Sequence, residues 1–149
     1  PGKLIVATHV ELRSTAEIDP ESVLVGLTPN GRTMVAARVA DDVCGVPSLT
    51  ALDLAASKLL ANADRWLDDV VFSRDVIDLA MMRPRLPLLR EALSKAEQAY
   101  GAAVARDLGR AINRLAQRTG WLERCMQAMS LRVPKALLWQ RIRALRRVL

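Results

Sequence analysis

Ala51–Met82, ALDLAASKLLANADRWLDDVVFSRDVIDLAMM, reads as two helices joined by a short acidic turn. In the first, Leu52, Ala55, Leu59 and Leu60 recur at helical spacing and mark a buried stripe. Thr50 is placed to cap it, because its hydroxyl can accept a backbone N–H. Asp53 falls in the first turn, where the positive helix end favours a carboxylate. Lys58 lies at the edge of the stripe, positioned to bury its stem and extend its ammonium into a cleft. The second helix, Arg74–Met82, follows Ser73, a candidate cap. Val76, Ile77, Leu79, Ala80 and Met81 form its apolar side and leave Arg74, Asp75 and Asp78 as the polar one. Asp75 and Asp78 are three residues apart and share a face. If that face meets Lys58, a charged cluster joins the helices. It is either an ion-pair lock or a phosphate-binding lysine supported by a carboxylate. Trp66 is expected to pack between the two helices. Asp64, Asp68 and Asp69 at the junction read as capping carboxylates or, alternatively, as ligands for a hard cation.

Upstream, the chain reads as strands and turns. Lys3–Arg13 alternates so that His9, Glu11 and Arg13 share one face. Glu11 is a solvated edge residue or a carboxylate available to a metal, and His9 is the only histidine. Val23–Leu27 and Thr33–Val39 flank Thr28-Pro29-Asn30-Gly31, a strong turn signal, and predict a hairpin over residues 23–39. Residues 41–48, DDVCGVPS, read as loop.

Downstream, helices are expected over 87–100, 102–119, 121–131 and 135–149. Gly101 and Gly120 act as breaks, and Pro134 sits at the start of the last helix. On the 102–119 helix, Val104, Leu108, Ala111, Ile112 and Leu115 face inward, while Arg106, Arg110, Arg114 and Arg118 form an outward row. The last helix adds Arg141 and neighbouring cations. Residues 1–82 carry 7 Lys/Arg and 12 Asp/Glu, a net of −5, whereas residues 83–149 carry 15 and 4, a net of +11. Such a basic pole suits RNA, tRNA included, or an acidic protein partner. The expectation is α+β: a β-rich portion over 1–49, then a helical region over 50–149, divided into the 51–82 pair and the basic helices of 83–149. No apolar run is long enough to cross a membrane. Cys44 and Cys125 lack metal-ligand spacing and read as free thiols of a cytoplasmic protein.

The pattern Ala56-Ser57-Lys58-Leu59-Leu60-Ala61, Arg65, then Arg74-Asp75-Val76-Ile77-Asp78-Leu79 resembles AbiEii-type nucleotidyltransferases, which include toxins of toxin–antitoxin pairs and abortive-infection systems. The likeness is clearest over the first 80 or so residues; beyond them it rests on helical character. It implies a protein that uses Mg²⁺ to transfer a nucleoside monophosphate from an NTP such as ATP to RNA or protein. Lys58, Arg65 and Arg74 would contact the nucleotide, Asp75 would support the site, and Glu11 is a weaker third-ligand candidate. An acidic antitoxin is an implied partner. The family normally carries a Gly-Ser motif followed by an Asp-x-Asp or Asp-Glu pair, whose carboxylates hold two metals. This chain has no Gly-Ser dipeptide and no Asp-x-Asp. The expectation is therefore the C-terminal part of such an enzyme, or a truncated one, with the missing motif upstream of Pro1. The alternative is a non-catalytic basic helical module that binds RNA or an acidic partner. Walker A, His-x-x-x-His and Gly-x-Ser-x-Gly patterns are absent.

Overall fold

The computed structural model describes residues 22–25, 35–43 and 46–149, with side chains from Leu49 onward. His9, Glu11 and Cys44 lie outside these residues. Three short strands are described: β1 (Ser22–Val25), β2 (Val35–Val43) and β3 (Val46–Leu49). They form one antiparallel sheet in the order β1-β2-β3. Val25 pairs with Val35 and Ser22 with Arg38, and on the other side of β2 Val43 pairs with Val46 and Val39 with Leu49. The expected loop over residues 41–48 is therefore corrected, because Asp41–Val43 and Val46–Ser48 belong to paired strands. Two residues, Cys44 and Gly45, separate β2 from β3, which is the spacing of a tight hairpin. Pro47, which has no N–H to give a ladder, falls on an edge strand.

Six α-helices follow among the described residues: α1 (Ala51–Arg65), α2 (Arg74–Met82), α3 (Leu86–Tyr100), α4 (Ala103–Gln117), α5 (Trp121–Ala128) and α6 (Lys135–Ala144). Thr50 caps α1: its Oγ1 accepts the Asp53 N–H at 3.1 Å and donates to the Asp53 carboxylate at 2.7 Å. Asp53 is more than a favourable first-turn charge. It is buried and also held by Lys95 of α3, so this cap ties two helices together. Gly101 and Gly120 break the chain on either side of α4 with φ of +67° and +75°, a region only glycine enters without strain. Pro134 stands at the N-cap of α6, which begins at Lys135 as expected, and its missing N–H costs nothing there. α5 stops at Ala128, short of the expected residue 131, and Ser130 with φ of +53° turns the chain toward α6. α6 ends at Ala144, and a 3-10 turn carries the chain on to Val148.

α1 packs on α2, α3 and α4, while α2 also lies against α6. The central helix can be approached so closely because Ala55 and Ala56 sit beside Leu59 on its inner face, each no more than 1% exposed. Val76, Ile77 and Leu79 of α2, Leu108 and Ile112 of α4, and Leu138 and Ile142 of α6 complete a continuous apolar core. Trp66 does not fill it. Trp66 is half-buried just beyond α1, and the indole in the core is that of Trp121. Among the described residues no helix is long and apolar enough to cross a membrane.

The packing sets a stability expectation. Ile77→Ala leaves a cavity at a fully buried position and lowers the unfolding free energy by about 2–5 kcal/mol. Val70→Ala, at a side chain 80% exposed, changes it by less than about 0.5 kcal/mol. Urea unfolding of the two variants checks both.

Candidate functional site

The charged faces of α1 and α2 meet. Lys58, Asn62 and Arg65 follow one another at helical spacing on α1, and Asp75 and Asp78 share the facing side of α2. Arg65 grips Asp75 with two parallel hydrogen bonds, Nε to Oδ2 at 2.7 Å and a terminal guanidinium nitrogen to Oδ1 at 2.9 Å. Lys58 Nζ donates to Asp78 Oδ2 at 2.5 Å and lies 3.7 Å from Asp75 Oδ1. The two carboxylates are therefore not equivalent. Asp75 is 3% exposed and touches both cations, whereas Asp78 is 31% exposed and, among the described residues, touches Lys58 alone. The bond to Asp75 holds the Arg65 guanidinium above its usual pKa. Asn62, between Lys58 and Arg65 in sequence, is buried, and its amide nitrogen has no hydrogen-bond partner among the described residues. An orphaned buried donor in a charged seam is a costly feature that calls for a reason. Sequence reading passed over it because only burial makes an asparagine conspicuous.

The other candidates separate. Arg74 is exposed at the start of α2 and holds no carboxylate among the described residues. The acidic residues of the junction do not converge on one point. Asp68 accepts the Val70 N–H, Asp64 accepts from the Tyr100 hydroxyl, and Asp69 is clamped by Arg114 and Arg118. Ser73 precedes α2 but gives it no side-chain cap; its hydroxyl instead accepts the Trp121 indole N–H at 3.1 Å. Phe72 stacks on Trp121 with ring centroids 5.9 Å apart, and the Arg118 guanidinium covers the same indole at 3.9 Å. Phe72 and Ser73 both have φ of +50°, costing roughly 1–3 kcal/mol each, and these contacts hold them there. The outward arginine row is thus engaged. Arg114 and Arg118 hold Asp69, and Arg106 and Arg110 hold Asp107. Arg141 turns toward the Met81 sulfur. Cys125 is buried, which pushes its thiol pKa up.

A divalent cation needs converging oxygen ligands. Among the described residues no group of three Asp, Glu, His or Cys is placed to hold one. Asp75 and Asp78 are already neutralised by Lys58 and Arg65. These residues do not fit a Mg²⁺ centre. They place a partly exposed ammonium at the rim of the seam, with an anchored carboxylate behind it.

The family model described as "Nucleotidyl transferase AbiEii toxin, Type IV TA system" matches residues 7–145. The chain belongs to this AbiEii nucleotidyltransferase toxin family. The match runs on through the basic helices, well past residue 80. No curated protein and no solved structure matches the chain.

Two outcomes follow from the geometry. Arg65→Ala strips the two-point anchor from a buried carboxylate. It lowers stability by about 1–3 kcal/mol, below the range of roughly 3–5 for a fully buried pair because Arg65 is 45% exposed. Asp78→Ala costs less, and chemical denaturation compares them. Hydrogen bonds from Arg118, then from Arg114, push the Asp69 carboxyl down from 3.8 to about 2. A depressed folded-state pKa stabilises above the ordinary value, and this contribution disappears as pH falls through about 2. Carboxyl-carbon NMR titration of Asp69 should give that midpoint, and Arg118→Gln should raise it toward 3.8.

Proposed function

We propose that this chain provides the phosphate-binding part of a nucleotidyltransferase that moves a nucleoside monophosphate from an NTP to an RNA or protein acceptor. Family membership supports the reaction class. The observation that carries the local reading is the Arg65–Asp75–Lys58–Asp78 network, with the unpaired Asn62 donor beside it in sequence. Lys58 binds the nucleotide phosphates. Asp75, fixed by Arg65, holds the ammonium in place. Asp78 is the displaceable partner, surrendering Lys58 when a phosphate arrives. Arg74 adds a further cation at the start of α2.

In the transfer, an acceptor oxygen bonds to the α-phosphorus and the bond to the leaving pyrophosphate breaks. Lys58 offsets charge gathering on that leaving group. Glu11 remains the candidate metal ligand of this chain. The protein is taken to be α+β as a whole and cytoplasmic, and its family's toxin–antitoxin setting implies an antitoxin as counterpart.

The charge asymmetry carries a second reading: a non-catalytic basic module whose helices hold RNA or an acidic partner. Phosphates approaching Arg106, Arg110, Arg114, Arg118 or Arg141 would then have to draw the first four away from Asp107 and Asp69.

A thermal-shift titration with each NTP and Mg²⁺ tests the first reading. At a ligand concentration 100 times Kd, binding adds about 2.7 kcal/mol of stability and raises Tm. Lys58→Ala abolishes the shift, and Asp78→Asn enlarges it by freeing the ammonium. A shift unchanged in Lys58→Ala refutes the assignment. RNA binding that weakens with salt and survives both Lys58→Ala and Asp75→Ala supports the second reading.

A further inference from the structure

α2 has two working sides. Asp75 and Asp78 face α1, while Ala80, about 200° around the helix from Asp78, faces the opposite way, where α6 packs. On that side a cavity of about 430 Å³ opens between the end of α2, the start of α3 and α6. Its volume falls within the roughly 300–1,000 Å³ of small-molecule sites.

The chemistry of the lining is uneven. Leu86, Leu89, Leu137 and Leu145 give it apolar walls, and Leu137 is 37% exposed there. Arg83, Arg141 and Arg147 stand around it, and no Asp or Glu is among its lining residues. On α4 and beside it the cations are matched, Arg106 and Arg110 to Asp107, Arg114 and Arg118 to Asp69, Lys135 to Glu123, whereas other arginines such as Arg90 and Arg132 stand exposed and dispersed rather than around a cavity. Arg83 and Arg147 hold no carboxylate among the described residues. Among the described residues Arg141 meets the Met81 thioether, at 3.2 Å, a weak acceptor, and no carboxylate. α3 begins at the same place with no acidic residue in its first turn and no side-chain cap, so its positive end adds to the field.

We infer that this cavity is a second ligand site, separate from the Lys58 seam, that takes a small organic anion: an apolar body bearing a phosphate or carboxylate group. The three guanidiniums supply the anion's counter-charge with planar, bidentate geometry. The leucine walls take the body. A bare inorganic ion would leave those walls uncovered, and an RNA backbone has no apolar part to place there. The lining holds no aromatic ring to stack a base and only Gln140 as a neutral polar side chain, which does not favour a nucleotide.

The probe is 8-anilinonaphthalene-1-sulfonate, an apolar ring system with one anionic group, titrated by fluorescence into the full chain. Saturable one-to-one binding is expected, about tenfold or more weaker in the Arg141→Gln/Arg147→Gln double variant and unchanged in Arg90→Gln, which alters an exposed arginine of α3 outside the lining. Leu137→Glu places a carboxylate on the wall and should also weaken binding; its Tm reports whether it folds. Phenyl phosphate and benzoate compete, and their relative strength identifies the preferred head group, while inorganic phosphate at equal concentration does not compete. No saturable binding, or binding indifferent to the arginine variants, overturns the site. Competition by inorganic phosphate as strong as by phenyl phosphate overturns the apolar requirement. Displacement only by an acidic peptide or by RNA overturns the small-molecule assignment. Loss of binding in Lys58→Ala with the arginine variants intact would return the ligand to the α1–α2 seam, so this test and that of the nucleotide site fail independently.

Discussion

Asp75 is a carboxylate buried to 3% exposure between two helices, and it is stable there only because α1 delivers two cations to it. Dehydrating a carboxylate costs several kcal/mol unless its oxygens are matched by charge and hydrogen bonds. The Arg65 fork supplies both, and Lys58 stands close enough to add charge. This fixes the rotation and register of α2 on α1. A one-residue slip would carry Asp75 away from Arg65 and turn Val76 or Ile77 out of the core. Because α2 also packs against α6, the same constraint positions the far side of the molecule.

The opposed charges of the two halves of the sequence become internal ties. Asp53 of α1 takes Lys95 of α3, and Asp69 of the α1–α2 connection takes Arg114 and Arg118 of α4. The second tie is largely exposed, so its strength lies in geometry and in the stack of Phe72, Trp121 and Arg118 beside it more than in Coulomb attraction. Acidic residues are too few to match every arginine. Three of the unmatched ones, Arg83, Arg141 and Arg147, gather at the cavity between α2, α3 and α6.

The described residues present an anchored, partly exposed lysine, and among them no group of three Asp, Glu, His or Cys is placed to hold a metal. Family membership over residues 7–145 gives the reaction class, and the seam is where we propose that the nucleotide phosphates meet the chain.

The helices were legible because their apolar residues recur at 3.6-residue spacing and are punctuated by Gly101, Gly120 and Pro134. The meeting of Lys58 with the Asp75–Asp78 face was legible as a condition: both lie on faces whose remaining residues are apolar. The strand pairing of residues 41–43 and 46–48 was hidden by Asp41, Asp42 and Pro47, which locally read as loop and become strand only through partners across the ladder. Trp66 and Trp121 could not be ranked from sequence, since either could fill the core. Nor could the fate of the arginine row, because a cation on an exposed helix face is free or paired according to which distant carboxylate the fold brings to it. Periodicity and punctuation are local and survive in the chain alone. Which carboxylate anchors, which donor is left unpaired and where positive charge goes unmatched are properties of contacts between distant segments, so only the tertiary structure decides them.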